Sequence, residues 1–172
     1  MNDRTRWLSV PLAIVCLGPA GCGGSVVDDG MPGGGGPTVV RMVTSRGVYD
    51  TGQRMVIQVV IQNGQNVGSV PFHLRYNPQV VDFIEPPTEG PFLGADGAMT
   101  VFLAADPSGG EIVVGLSRFD PVGMSGSGLL AEFAFDAIAA GDCGFGFSAA
   151  SVKDPEAADL PAAFDPTSVR VE

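Results

Sequence analysis

The chain is poor in basic side chains and in the residue types that most enzymes use for catalysis. Nine lysines and arginines stand against nineteen aspartates and glutamates, which gives a formal net charge of −10 over 172 residues. Nucleic acids and anionic lipid surfaces are bound through clustered basic side chains, so this charge argues against both partners. His73 is the single histidine. With no second histidine and no acid at a suitable spacing, neither a zinc site nor a nucleophilic triad is indicated, and we predict that the chain is not an enzyme.

Cysteine and flat aromatic side chains are also scarce. The three cysteines are Cys16, in an apolar stretch near the N-terminus, Cys22 and Cys143. Cys143 borders an alternating apolar segment, and we expect it to be a small, partly buried hydrophobic residue rather than a reactive thiol. One tryptophan and two tyrosines leave few aromatic platforms for sugar rings. This scarcity argues against a glycosidase and against a module that binds crystalline cellulose.

Residues 1–21 have the pattern of an export signal. A short basic start is followed by the apolar stretch 7–17, which is too short to anchor a protein across a bilayer. Ala20-Gly21-Cys22 resembles the lipobox of bacterial lipoprotein signals, although Pro19 stands where that motif usually has leucine. The resemblance implies cleavage before Cys22, lipidation of Cys22 and a lipid anchor. By resemblance to the lipoproteins of Gram-negative bacteria, Gly23 rather than an aspartate after the cysteine implies the outer membrane or the cell surface. An ordinary secretory signal is the alternative.

The rest of the chain divides into a linker and one domain. Residues 22–37 are rich in glycine and proline and predict a flexible tether. Residues 38–172 are numerous enough for one domain with a sizeable core. Cleavage would remove two of the nine basic and one of the nineteen acidic residues, so the net charge would become −11. Such a charge favours solubility outside the cell.

Period-two alternation of apolar residues dominates after residue 38 and predicts an all-β domain of about nine strands. We expect a two-sheet β-sandwich with jelly-roll topology, each strand turning one face to a shared core. Turn signals at Asp50-Thr51-Gly52, Asn63-Gly64, Asp106–Gly110 and Ser125-Gly126 separate the strands. The predicted core faces include Met55, Ile57, Val59, Ile61; Val70, Phe72, Leu74, Tyr76; Met99, Val101, Leu103; Ile112, Val114, Leu116; and Leu129, Ala131, Phe133, Phe135.

Several of these segments, in this order, resemble the cohesin domain. An alternating strand that ends in Tyr76-Asn77-Pro78 is similar to the family's strand ending in Tyr-Asp-Pro, and an apolar pair and an acid follow it. The glycine-led strand 125–135 and the segments 151–154 and 168–171 resemble later cohesin strands. The resemblance implies a nine-stranded jelly roll that binds a protein without catalysis. In cellulosomes that partner is a dockerin, a small calcium-loaded module of enzymes that degrade polysaccharides.

One departure from the family bears on the partner. In the best-known dockerin-binding cohesins, the strand before Tyr-Asp-Pro presents an outward Asn and, two residues on, an outward Asp. The corresponding positions here are Ser69 and Pro71, and proline offers neither a polar side chain nor a backbone N–H. We therefore expect the scaffold to be kept with an altered partner contact. The predicted partner-binding face comprises Ser69, Pro71, His73, Arg75, Phe102 and Val113.

Other readings stay open at this point. The acidic loop with Asp154, Glu156, Asp159 and Asp165 offers oxygen ligands for calcium, but its spacing is not that of an EF-hand, and a solvated loop is the simpler interpretation. We predict no metal site and no required cofactor. A carbohydrate-binding module of the cell envelope is the alternative function. A hydrolase ranks third, because paired carboxylates assemble only in space.

Overall fold

The computed structural model describes residues 36–172, so the predicted signal peptide, the predicted lipidation site Cys22 and most of the linker lie outside the described residues. This range holds thirteen strands, three of them two residues long, and one 3₁₀ turn at Phe92–Gly94. None of its helical segments is long and apolar enough to span a membrane. The strands are β1 (Thr38–Thr44), β2 (Val48–Tyr49), β3 (Arg54–Val67), β4 (Phe72–Arg75), β5 (Val81–Glu89), β6 (Thr100–Ala105), β7 (Glu111–Arg118), β8 (Met124–Ala137), β9 (Gly141–Ser148), β10 (Val152–Lys153), β11 (Asp159–Leu160), β12 (Ala162–Asp165) and β13 (Thr167–Val171).

Two large sheets pack as a sandwich, which confirms the predicted fold class. The five-stranded sheet has the order β12-β1-β3-β8-β5, and the six-stranded sheet has the order β2-β13-β9-β4-β7-β6. A small third sheet pairs β10 with β11. Neighbouring strands are antiparallel except for the pairs β1–β12 and β13–β2. Strands close in sequence therefore often lie in different sheets, as expected for a jelly roll.

The core lies between the two large sheets and is built from alternate residues of each strand. Ile57 of β3, Phe133 of β8, Phe72 and Leu74 of β4 and Ile112 of β7 are fully buried. Burying each such side chain contributes about 1.5–3 kcal/mol relative to exposure. The rings of Phe72 and Phe133 meet edge to face across the sandwich, with centroids 6.3 Å apart. The predicted inward faces of β3, β4 and β7 are thus confirmed. In β8 the prediction holds from Ala131 to Phe135 but is wrong at Leu129, because a register shift beside Ala131 makes Leu130 the fully buried residue instead.

The corner after β4 carries the chain from the six-stranded sheet to the five-stranded one. Tyr76 is buried, as predicted, and its hydroxyl donates a hydrogen bond to the Asp106 carboxylate. The Asn77 side chain closes the turn by accepting from the backbone N of Gln79 at 3.0 Å. Burial, followed by the hydrogen bond to Asp106, raises the pKa of Tyr76 to about 12. Cys143 is fully buried nearby, where its sulfur accepts from the backbone N of Asn77 at 3.4 Å.

The orientation predicted for β6 is wrong. Met99, Val101 and Leu103 are exposed, and Phe102 packs against the core. The reason is that both faces of this strand are apolar, so alternation does not choose between them. A one-residue change of register then turns every side chain to the opposite face.

Two predicted turns are also wrong, and they lie opposite each other. Asn63-Gly64 falls within β3 and Ser125-Gly126 within β8, where Gly64 pairs with Gly126 in an irregular section of the ladder. Asn63 has a φ of 53°, and its backbone N donates to the Ser127 hydroxyl at 3.0 Å. A Cβ on Gly64 would come within 3.3 Å of the Gly126 carbonyl oxygen. The residues that signal turns here support bulges that keep two long strands paired.

Candidate partner-binding face

The outer face of the six-stranded sheet is the side of β9, β4, β7 and β6 that points away from the core. The segment leading into and through β4 presents Ser69, Pro71, His73 and Arg75 on this face, because the three residues between them are fully buried. Ser69 bridges to Ser117 and Lys153 through the backbone. The Pro71 carbonyl accepts from the backbone N of Ser151 at 3.1 Å. The start of this row is therefore held in place by backbone contacts.

A polar cluster occupies the middle of the face and is organised by Glu111. Its Oε1 accepts from Arg75 Nε at 3.0 Å and from the Ser148 hydroxyl at 3.0 Å, and it lies 3.3 Å from His73 Nδ1. The strand order β9-β4-β7 brings these residues together from distant parts of the chain. The hydrogen bond from Arg75, followed by that from Ser148, holds the pKa of Glu111 below its usual value. The cluster therefore presents a carboxylate that already has its own donors.

An apolar area adjoins this cluster on β6 and β7. Leu103 is 67% exposed and Val113 is 39% exposed, and Val101 also faces solvent. Leu103 pairs with Gly115, and His73 pairs with Val113, so the apolar area runs directly into the polar cluster. A shallow cavity of about 440 Å³ lies over Leu103, Ala105, Val113 and Gly115. Exposed apolar side chains beside a charged group are typical of the centre and rim of a protein interface.

Glycines flatten the remainder of the face. A Cβ added to Gly115, Gly144 or Gly146 would meet no heavy atom within 4 Å, so these glycines are not required by packing inside the domain. A depression of about 500 Å³ runs between Arg75, Gly144 and Gly146 on one side and Pro166–Ser168 on the other. The absence of side chains here lets another backbone approach the sheet closely.

The structure brings together five of the six residues that the sequence predicted for this face; the exception is Phe102, which points inward for the reason given above. Their role in binding stays a prediction. Sequence reasoning missed Leu103, Glu111 and Ser148. Glu111 carried a usable signal, since the predicted inward face of Ile112, Val114 and Leu116 turns Glu111 outward. Ser148 carried none, because its neighbours depend on the strand order.

The acidic loop is not assembled as a cation site. Asp159 pairs with Lys153 at 2.5 Å, and Asp165 lies 3.4 Å from Arg41. Asp154 accepts from the backbone N of Ala158 at 2.8 Å. Within residues 36–172, no group of three or more His, Cys, Asp or Glu side chains is placed to hold a metal ion. The calcium hypothesis for this loop gains no support from its geometry.

A scan of the chain against protein-family models finds no match, and a search of curated proteins finds none. Solved structures do match it. A non-cellulosomal cohesin from the hyperthermophilic archaeon Archaeoglobus fulgidus superposes with a TM-score of 0.64 at 20% identity, over 80% of this chain and 92% of that chain. A type II cohesin domain from the cellulosome of Acetivibrio cellulolyticus gives a TM-score of 0.68 at 13% identity, over 78% and 95%.

A third match is a cohesin seen together with a partner. The sixth cohesin of scaffoldin B from Acetivibrio cellulolyticus, in complex with a mutant dockerin, gives a TM-score of 0.67 at 14% identity, over 80% of this chain and all of that chain. Nearly the full length of each of these three solved chains is thus matched by this chain. The described domain therefore has a cohesin-like fold.

Proposed function

We propose that this chain is a non-catalytic binding module that receives a partner protein on the outer face of its six-stranded sheet. The observation that carries the proposal is the composition of that face on a cohesin-like fold. Leu103 and Val113 form an exposed apolar centre, glycines provide a flat floor, and the Glu111 cluster supplies directional polar contacts. Burying such a centre supplies affinity, and the polar cluster beside it supplies orientation.

The same face suits a protein better than a glycan. Sugar rings bind on flat aromatic side chains, and Tyr49 and Tyr76 are both buried. Within residues 36–172, Phe119 is the only aromatic side chain that is exposed. A single exposed ring gives no row of platforms along which a polysaccharide can lie. Carbohydrate binding is therefore an outcome to be tested rather than a second proposal.

A dockerin-type module on an exported enzyme is the partner that the fold suggests, with contacts that differ from the familiar ones. Pro71 cannot donate a backbone hydrogen bond, and its carbonyl is occupied by Ser151. Polar recognition would therefore shift along β4 to His73 and Arg75, which are held by Glu111. A partner that presents an apolar ridge flanked by polar groups fits this arrangement.

The place of action belongs to the same proposal. A lipid on Cys22, followed by the glycine-rich tether, would display the domain on the outer membrane or cell surface. The acidic composition is compatible with an exported domain. Replacing Cys22 with serine should release the protein from the membrane fraction into the soluble fraction. Continued membrane retention of Cys22→Ser would contradict the lipid anchor and leave the binding proposal untouched.

The binding proposal is tested by capture from the envelope fraction of the source cells, with and without a calcium chelator. Val113→Asp is the test variant and Val56→Asp the matched control, because both valines are 39% exposed in the middle of a sheet, on opposite outer faces. We expect Val113→Asp to lower capture of a specific protein about tenfold or more and Val56→Asp to leave it unchanged. Loss of capture with the chelator would identify a calcium-loaded partner.

Two results would contradict the proposal. Equal loss of capture with both variants would show that the outer face of the six-stranded sheet has no special role. Retention of the chain on an insoluble glycan, with no protein captured, would favour the carbohydrate-binding alternative. Circular dichroism of both variants shows that each is folded before the comparison is made.

A further inference from the structure

The two large sheets end in four edge strands, and three of them are protected against pairing with another chain. β12 is four residues long, ends in Asp165 and stands between Pro161 and Pro166. β5 contains two prolines and three acidic residues. β2 has only two residues. Shortness, charge and proline are the usual means by which folded proteins prevent edge-to-edge association.

The fourth edge, β6, has none of these protections. Its sequence, Thr-Val-Phe-Leu-Ala-Ala, contains no charge and no proline, and Val101 and Leu103 point to solvent. Its ladder runs only to β7. β5 passes near β6, but within residues 36–172 no backbone hydrogen bond joins these two strands. Backbone donors and acceptors along the free side of β6 are therefore available to an additional strand.

We propose that β6 pairs with β6 of a second copy of this chain, antiparallel and around a two-fold axis at Leu103, so that the two six-stranded sheets become continuous. In this register Leu103 lies opposite Leu103 of the second copy. On the inner side, the large Phe102 lies opposite the small Ala104, and on the outer side Val101 lies opposite Ala105. An antiparallel pair of identical strands satisfies both edges at once and closes as a dimer.

Charge does not oppose a second copy on this edge. The chain carries a net charge of −10, so two copies repel each other wherever their acidic side chains meet. The six residues of β6 are uncharged, and the nearest acid in sequence, Asp106, is engaged by Tyr76 and by backbone N–H groups of its own turn. In the proposed register the two Asp106 residues lie at opposite ends of the pairing, about 20 Å apart. That distance exceeds the Debye length of about 8 Å at physiological ionic strength.

Disulfide trapping of the full chain tests the register. Cys16 and Cys22 are first replaced with serine, which leaves the buried Cys143 as the only other thiol. Leu103→Cys should then form a covalent dimer on mild oxidation, since directly opposite Cβ atoms lie about 4.5–5.5 Å apart. Val101→Cys alone should form far less, because its opposite residue is Ala105. Val56→Cys, on the outer face of the other sheet, is the control and should form little or none.

Association of the wild-type chain gives a second readout. Light scattering should show a monomer–dimer equilibrium that shifts toward dimer as salt is raised, because salt screens the repulsion between acidic copies. Leu103→Lys should shift it back toward monomer at least tenfold, whereas Val56→Lys should not. Both substitutions place lysine at an exposed position, so their folding can be matched by circular dichroism.

The proposal is overturned by any of several results: a monomer at the highest soluble concentration, equal trapping at Leu103 and Val56, or trapping at Val101 as strong as at Leu103. Trapping of a different protein at Leu103, with no homodimer, would also overturn it, because the edge would then accept a foreign strand. None of these results depends on whether the outer face of the six-stranded sheet binds a partner protein, and loss of partner capture would not affect the pairing.

Discussion

The two outer faces of the sandwich are built in opposite ways. On the five-stranded sheet, polar side chains are paired with each other across neighbouring strands. Arg54 Nε lies 3.1 Å from Asp136 Oδ1, and Gln58 donates to Glu132 at 2.6 Å. On the six-stranded sheet, Leu103 and Val113 are exposed beside glycines that no packing contact demands. The five-stranded face thus pairs its polar side chains around the partly exposed Val43 and Val56, whereas the six-stranded face leaves Leu103, 67% exposed, in water.

The difference between the faces shows which one a partner could cover with the smaller desolvation penalty. Covering the five-stranded face would strip water from charged groups whose mutual attraction in solvent is worth little, and desolvation would not be recovered. Covering the six-stranded face would remove apolar area from water, with only the Glu111 cluster to accommodate. Substitutions on one face, on the other, or in the core beneath both test this difference between the faces.

The largest effect is expected in the core that the two faces share. Phe135 is fully buried, and its ring centroid lies 5.1 Å from those of both Tyr76 and Phe145. Phe135→Ala should lower the free energy of unfolding by about 3–5 kcal/mol, measured by urea denaturation with circular dichroism. Both faces should be lost in one transition. Two separate transitions would show that the sheets unfold independently and that the two faces do not depend on one shared core.

A smaller effect is expected at the corner that joins the sheets. The pKa of Tyr76 is about 12 in the folded chain, above the value of about 10 for an unfolded tyrosine, so the folded state holds this proton more tightly. The stability gained from Tyr76 is therefore complete below about pH 10 and is lost as the pH rises toward 12. Tyr76→Phe should lack this loss and be about 1–2 kcal/mol less stable at neutral pH. An identical fall in stability at high pH in both proteins would show that Tyr76 is not its source. The measurement is urea denaturation as a function of pH.

The same corner has an acid-side counterpart. Desolvation pushes the pKa of Asp106 upward, but hydrogen bonds from Tyr76 and from the backbone of residues 108–110 outweigh it and hold this pKa below its usual value. The stability gained from Asp106 is present above the unfolded pKa of about 3.9 and is lost as the pH falls through the lower folded value. Asp106→Asn should flatten this acid-side decline in denaturation curves.

A still smaller change in stability should accompany a large change in binding at Gly146. Its added Cβ meets open space, and valine favours strands, so Gly146→Val should leave the free energy of unfolding unchanged or raise it by about 0.5–1 kcal/mol. The new side chain should nevertheless obstruct the flat floor and reduce partner capture. Ala134→Val, on the outer face of the five-stranded sheet, is the control. Undiminished capture by Gly146→Val would remove the glycines from the binding face.

The smallest effect is expected for the exposed ion pair of the other face. Both Arg54 and Asp136 are largely in solvent, and exposed pairs of this kind contribute little. Arg54→Met should leave the urea midpoint and partner capture unchanged within error. A clear loss of capture would mean that the five-stranded face takes part in binding and that the contrast between the faces is false.

Alternation was sufficient to predict the sandwich and most of its core. It works where one face is polar, as with Gln58 between Ile57 and Val59, and it fails at Val101–Ala104, where both faces are apolar. Turn chemistry failed at Asn63-Gly64 because a left-handed asparagine followed by a glycine also suits a bulge. The Glu111 cluster could not be predicted from the sequence, since it depends on the strand order β7-β4-β9, which no local pattern encodes.

The bulged pairing of β3 with β8 also affects the rate at which the domain folds. Arg54 and Asp136 are 82 residues apart in the chain, and they belong to the two longest strands of the domain. This central ladder cannot close until most of the domain is available, and closing so long a loop carries a large entropic cost before any contact compensates for it. The domain should therefore fold slowly for its size. Until β3 and β8 pair, the five-stranded sheet is incomplete, so the six-stranded sheet that ends at the unprotected edge strand β6 lacks its packing partner.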